Sequence, residues 1–164
     1  MWLRGIYTYL VGLFFLYLQV LIVPALAIAD VVPLILLPWL IYTVWYQAQK
    51  IALPVVFLIG IMYDTLAPLT FGMHALSFCL LAILINILRI PFEQDSLVAK
   101  LIVISSSNLF FALFTLLVYG LFHGFDSTLY WLSLAGFGYN LIFSLVVFFL
   151  MQLISRLRLV IKNE

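Results

Sequence analysis

The sequence predicts an all-α, polytopic membrane protein: a single integral membrane domain over residues 1–164, built as a six-transmembrane-helix bundle with both termini in the cytoplasm. Three observations predict it. First, 68% of the 164 residues are hydrophobic and only 8% are charged, with a mean hydropathy of +1.32. Such a chain has too little polar surface to cover a water-soluble globule. Second, the seven basic residues fall in four places: Arg4, then Lys50, then Arg89 and Lys100, then Arg156, Arg158 and Lys162. Two crossings between each place and the next put every Lys and Arg on one side of the bilayer. Basic residues stay on the cytoplasmic side during insertion, so spans and orientation are fixed together. Third, six spans of ~20 residues use ~120 residues, which leaves short loops and no soluble domain.

The spans follow in order. Span one covers Gly5 to Ile28, long enough to cross with tilt, with Pro24 near its outer end and Asp30 at the water boundary. Its apolar run is too long for a cleavable signal and ends at no small-residue cleavage site, so it reads as a permanent span. Asp30 to Pro33 make the first outer turn. Span two, Pro33 to Tyr46, is short; Pro33 lies where a missing amide hydrogen costs least, and Pro38 is expected to kink the helix. Trp45 and Tyr46 close it at the inner interface. Gln47 to Lys50 form the first inner loop. Span three, Ile51 to Leu66, ends in the outer turn Ala67-Pro68-Leu69-Thr70-Phe71-Gly72. Span four is Met73 to Ile90, stopped by Pro91. The inner loop from Pro91 to Lys100 offers Asp95 or Ser96 as a helix cap. Span five is Leu101 to Leu121, His123 to Asp126 turn the chain outside, and span six is Thr128 to Ile154 before a basic tail. A re-entrant span two would give five crossings, but it would move the three tail cations to the wrong side.

Ionisable groups inside spans are costly and mark function by default. Asp64 stands out. It lies ~21 Å from the inner boundary of a ~30 Å core, one helical turn after Gly60 on the same face. Two readings stay open. Asp64 anchors something, either within the bundle or against a partner helix, and the glycine admits a close backbone. Or it reaches the outer interface, or caps the turn from Pro68 to Gly72 through backbone amides. His74 starts span four, two residues after Gly72, and reads as an interfacial histidine; Asp64 and His74 alone are too few ligands for a metal. His123 and Asp126 read as solvated loop residues.

Ser105, Ser106, Ser107 and Asn108 form the densest polar run within a span, and Gly136, Asn140 and Ser144 share one face of span six. Small and amide residues of this kind hold membrane helices together at ~0.6–2 kcal/mol per contact. Cys79 is a lone apolar-run cysteine with a packing role. The chain shows no nucleophile paired with a base, no carboxylate pair at one depth, no phosphate-cradling loop and no basic tract for nucleic acid. The expectation is a non-enzymatic protein with no cofactor and no metal.

Residues Pro33 through His74 resemble the bacterial rod-shape-determining MreD family. One part of the resemblance is a proline entering a Leu-rich span that ends in aromatics: Pro33-Leu34-Ile35-Leu36-Leu37-Pro38-Trp39, then Trp45-Tyr46. The more diagnostic part is Gly60-Ile61-Met62-Tyr63-Asp64, a short turn ending Leu69-Thr70-Phe71-Gly72, then Met73-His74-Ala75-Leu76. Phe71 departs from the leucine usual in the family's turn. The resemblance implies a fold similar to the substrate-binding S-components of energy-coupling-factor transporters. It also implies a scaffold of the cell-wall elongation machinery in the bacterial cytoplasmic membrane. Such proteins bind MreC, a bitopic membrane protein, and work with RodA, its partner transpeptidase and the filament MreB. Gly60, Asp64, Pro68, Gly72 and His74 would form part of the partner contact. The rival expectation is a vitamin-like solute-binding S-component, with Asp64, His74 and Asp126 converging on a ligand near the outer face.

Overall fold

The computed structural model describes residues 2–28, 31–66, 71–92 and 95–162, without the side chains of Trp2 and 156–162. The described residues form six α-helices: α1 Trp2–Leu21, α2 Leu36–Tyr46, α3 Gln49–Asp64, α4 Met73–Leu88, α5 Leu97–His123 and α6 Ser127–Lys162, with a 3-10 turn at Val23–Leu26. The stretches Leu3–Leu21, Leu97–His123 and Ser127–Ser155 are long and apolar enough to cross a membrane. Their outward faces are apolar too: Leu10, Phe14, Tyr17 and Leu21 on α1, and Leu109, Leu113 and Leu117 on α5, are all exposed at helical spacing. A helix that turns such a stripe outward is solvated by lipid rather than water. This is a membrane protein.

Helix α2 is the hub. It packs against all five other helices, while α1, α3, α4, α5 and α6 follow one another around it as neighbours. Every residue of α2 except Tyr42 and Tyr46 is buried, as expected of a helix apolar all round. Its Trp39, Leu40, Ile41 and Trp45 form the centre of the core, with Phe78 of α4, Ile104 of α5 and Phe148 of α6. Gly12 of α1 makes room for Trp39: a Cβ at Gly12 would lie 2.6 Å from the Trp39 ring. The ring of helices is open between α6 and α1. Through this seam run Tyr42 and Tyr46, one helical turn apart with ring centroids 4.7 Å apart.

Several element boundaries differ from the sequence expectation, each for a local reason. Span one stops as an α-helix at Leu21, because the Pro24 ring cannot follow the carbonyl four residues earlier. Span two begins at Leu36, not Pro33, so Pro38 is its third residue. Amides in the first turn have no intrahelical acceptor, so Pro38 removes no bond there. Helix α5 starts at Leu97 because the Ser96 side chain accepts the Ala99 amide. That places Lys100 inside the helix rather than in a loop. Asp126 is not merely a solvated loop residue: its carboxylate accepts the Leu129 amide at 2.7 Å and caps α6. His123 is the last residue of α5.

The basic places gather at one end of the bundle. Arg4 and Gln47 line one depression, Arg89 reaches the α2–α3 turn, and Asp95, next to the α5 start, shares a groove with Gln47 and Ser155. These cations do more than mark orientation. Arg89 Nη1 donates to the carbonyls of Val44 at 2.8 Å and Gln47 at 3.1 Å, satisfying orphan acceptors at the C-terminus of α2. Lys100 is buried, with Nζ 3.5 Å from the Asp95 carbonyl. Replacing Arg89 by methionine keeps the apolar stem and strips this cap; the expected cost is ~2 kcal/mol, read as a lower thermal midpoint in detergent.

Candidate functional site

The resemblance motif folds into a clasp between α3 and α4, at the end opposite the basic one. Gly60 is buried on α3, and a Cβ there would lie 2.6 Å from the Ala75 Cα and 3.0 Å from its nitrogen. Only a glycine lets the two backbones come this close. Ala75 supplies the small residue on the other helix and is itself buried. Gly60→Ala forces backbone apart rather than a side chain, so the expected cost is ~1–3 kcal/mol. Thermal unfolding of the purified variant measures it.

One turn on, Asp64 is 0% exposed. The N-cap of α4 is Gly72, at φ 90°, a left-handed conformation that suits glycine and leaves no side chain to cap the helix. Asp64 supplies the missing acceptors from the neighbouring helix. Its Oδ1 accepts the His74 amide at 3.0 Å and its Oδ2 accepts the Ala75 amide at 2.8 Å. A carboxylate at a helix N-terminus also meets the favourable end of the macrodipole. The His74 ring closes the arrangement, with Nδ1 2.8 Å from Asp64 Oδ1. That ring packs edge-on against Tyr63 at 4.6 Å and approaches Phe78 and Phe111. Of the two open readings for Asp64, anchoring within the bundle and capping by backbone amides are one geometry. The capped amides belong to the start of α4. Phe71 is exposed, and Pro68 lies outside the described residues.

The small-residue candidates divide. Asn108 and Ser144 join α5 to α6, with Ser144 Oγ donating to Asn108 Oδ1 at 3.2 Å. Asn108 Nδ2 donates to the Ile104 carbonyl of its own helix. Ser107 is buried, Ser106 half-buried and Ser105 exposed, so the polar run is not one contact surface. Asn140 Oδ1 accepts the Leu34 amide at 2.7 Å, and a Cβ at Gly136 would meet only Val31, at 3.7 Å. The Gly136–Asn140–Ser144 stripe therefore faces inward, to the segment leading into α2 and to α5.

Sequence reasoning passed over Gln19. It is buried in α1; its Nε2 donates to the Pro33 carbonyl at 3.1 Å and its Oε1 accepts the Ile35 amide at 2.7 Å. The signal was present: a lone amide in an apolar span wants a partner. Asn86 links to Gln49 near the basic end at 3.0 Å. Among the described residues, no group of three His, Cys, Asp or Glu side chains could hold a metal. Both Asp64 oxygens are already taken up by the His74 and Ala75 amides and the His74 ring, in contacts that hold α3 to α4. Comparison with protein-family models, with curated proteins and with solved structures finds no match to this chain.

Proposed function

We propose that the chain is a six-span protein of the MreD type, with both termini and all its Lys and Arg in the cytoplasm. In this reading it is a non-enzymatic scaffold of the cell-wall elongation machinery that binds an MreC-like bitopic partner and helps to hold rod shape. RodA, its transpeptidase and MreB belong to the wider complex, and the bundle is related to the S-component fold. The observation that carries the reading is the Gly60–Asp64 clasp onto the Gly72–Ala75 helix start. Gly60 and Asp64, the two residues the resemblance singles out on α3, both act on the start of α4, which supports the reading. The gathering of the basic places at one end supports the orientation.

The solute-binding reading needs polar groups converging on a ligand near the outer face. Asp64 and Asn140 are instead engaged by the chain itself, which favours the scaffold. The partner contact at that end is then made by the surface the clasp shapes, such as exposed Phe71 and Leu76, while the buried Asp64 acts through position. Depletion from a rod-shaped host, with capture on the tagged chain, tests the proposal. Cells should round up and the host's MreC should co-purify. Rods that keep their shape, with no MreC retained, would refute the scaffold, and a stoichiometric bound vitamin would establish the rival. A reagent that reaches the tail only from outside the cell would overturn the topology.

A further inference from the structure

The seam between α6 and α1 opens over α2 into a groove of about 670 Å³ near the basic end. Its lining is graded. Val11, Phe15, Trp39 and Met151 give it apolar surface, broken by the hydroxyls of Thr8 and Thr43, whereas Gln47, Asp95, Gln152 and Ser155 belong to the helix ends and turns at the basic end. Arg4 stands in an adjoining depression that shares Tyr7, Tyr46 and Gln47 with the groove. The groove thus holds an anion, Asp95, and the depression beside it a cation, Arg4, with Gln47 lining both. A transmembrane helix 10–12 Å wide displaces about 500 Å³ per turn, so the groove has room for little more than one turn. A partner helix would also be apolar along the whole core, with no use for a polar end. An acyl chain ending in a charged headgroup matches both the volume and the gradient.

We propose that this groove binds one aminophospholipid. Its acyl chain lies against Phe15, Trp39 and Met151, its phosphate meets Arg4, and its primary ammonium meets Asp95. The two charges, one in the groove and one in the depression beside it, select the headgroup. A purely anionic lipid would bring its phosphate towards Asp95 without a compensating amine. A choline headgroup carries its charge but has no N–H to donate to Asp95 or Gln47. The site stands apart from the clasp and rests on the membrane character of the bundle, not on its partner.

The test uses the full chain in bilayer discs of equimolar phosphatidylethanolamine, phosphatidylglycerol and phosphatidylcholine, followed by mild detergent extraction and native mass spectrometry. Wild type should retain one phosphatidylethanolamine, favoured about fivefold over each competitor, the scale of one charge contact at a membrane surface. Asp95→Asn should bring that preference close to unity. Val11→Trp and Met151→Trp, which fill the groove from opposite walls, should each abolish retention while the chain stays monodisperse. Preferred retention of either competitor, equal retention of all three, or unchanged retention in whichever filling variant folds would overturn the proposal. So would a photocrosslink from position 15 to a polypeptide in native membranes where photoactivatable phosphatidylethanolamine gives none.

Discussion

Asp64→Ala should lower the thermal midpoint of the purified protein by about 10 °C, through a loss of ~3–5 kcal/mol. The reasoning starts at Gly72, whose left-handed φ of 90° turns the chain sharply but brings no capping side chain. The amides of His74 and Ala75 then depend on the carboxylate across the hairpin. Alanine leaves both without an acceptor at a site from which water is excluded, and each such group costs ~1–3 kcal/mol. Asp64→Asn keeps one good acceptor and turns an NH2 towards the other amide, so its effect should be intermediate. His74→Phe removes only the ring contact, because the amide of residue 74 is still present; it should cost ~1 kcal/mol. A His74→Phe variant as unstable as Asp64→Ala would mean that the ring pair, not the helix cap, holds the hairpin. Under the scaffold function proposed above, assembly with the MreC-like partner should follow the same order, since the exposed surface beside the clasp moves with α4.

Helix number and order could be read from the chain because they depend on hydropathy and on turn residues, both local properties. The Gly60–Asp64 pair was legible for a similar reason: an acid one turn from a glycine in an apolar span is chemically expensive unless something meets it. Which backbone meets it was not legible, since the alternatives inside and outside the bundle share the same local sequence. The seam was hidden too. An all-round apolar surface admits α2 as the hub but does not single it out, because the other spans are apolar as well. Arg89 shows the limit of charge counting. Its position carries the orientation signal, yet the side chain also caps α2 from 45 residues away. Ser105 to Asn108 show the converse. A polar run looks like one surface in sequence, but helical rotation sends Ser105 outward and Asn108 inward.

Gln19→Met should cost ~2–4 kcal/mol despite keeping side-chain volume, and should lower the midpoint by about 8 °C. The cause lies in the length of α2. Eleven residues span ~16 Å, about half of a ~30 Å core, so in the proposed six-span topology non-helical chain must cover the rest. The lead-in through Pro33, Leu34 and Ile35 does this, and Pro33 and Leu34 are buried. Irregular backbone at membrane depth survives only if its polar groups find partners. Gln19 serves the Pro33 carbonyl and the Ile35 amide at once, and Asn140 takes the Leu34 amide between them. Asn140→Leu removes one of these three bonds and should cost about half as much as Gln19→Met, roughly 1–2 kcal/mol. Gln19→Glu separates the two roles, since it retains the acceptor for Ile35 but sets an oxygen against the Pro33 carbonyl. It should be at least as unstable as Gln19→Met at neutral pH. If all three variants unfold with wild type, the lead-in backbone is finding water instead. The segment from 31 to 35 would then lie outside the apolar layer, and α2 would enter it less deeply than a crossing requires.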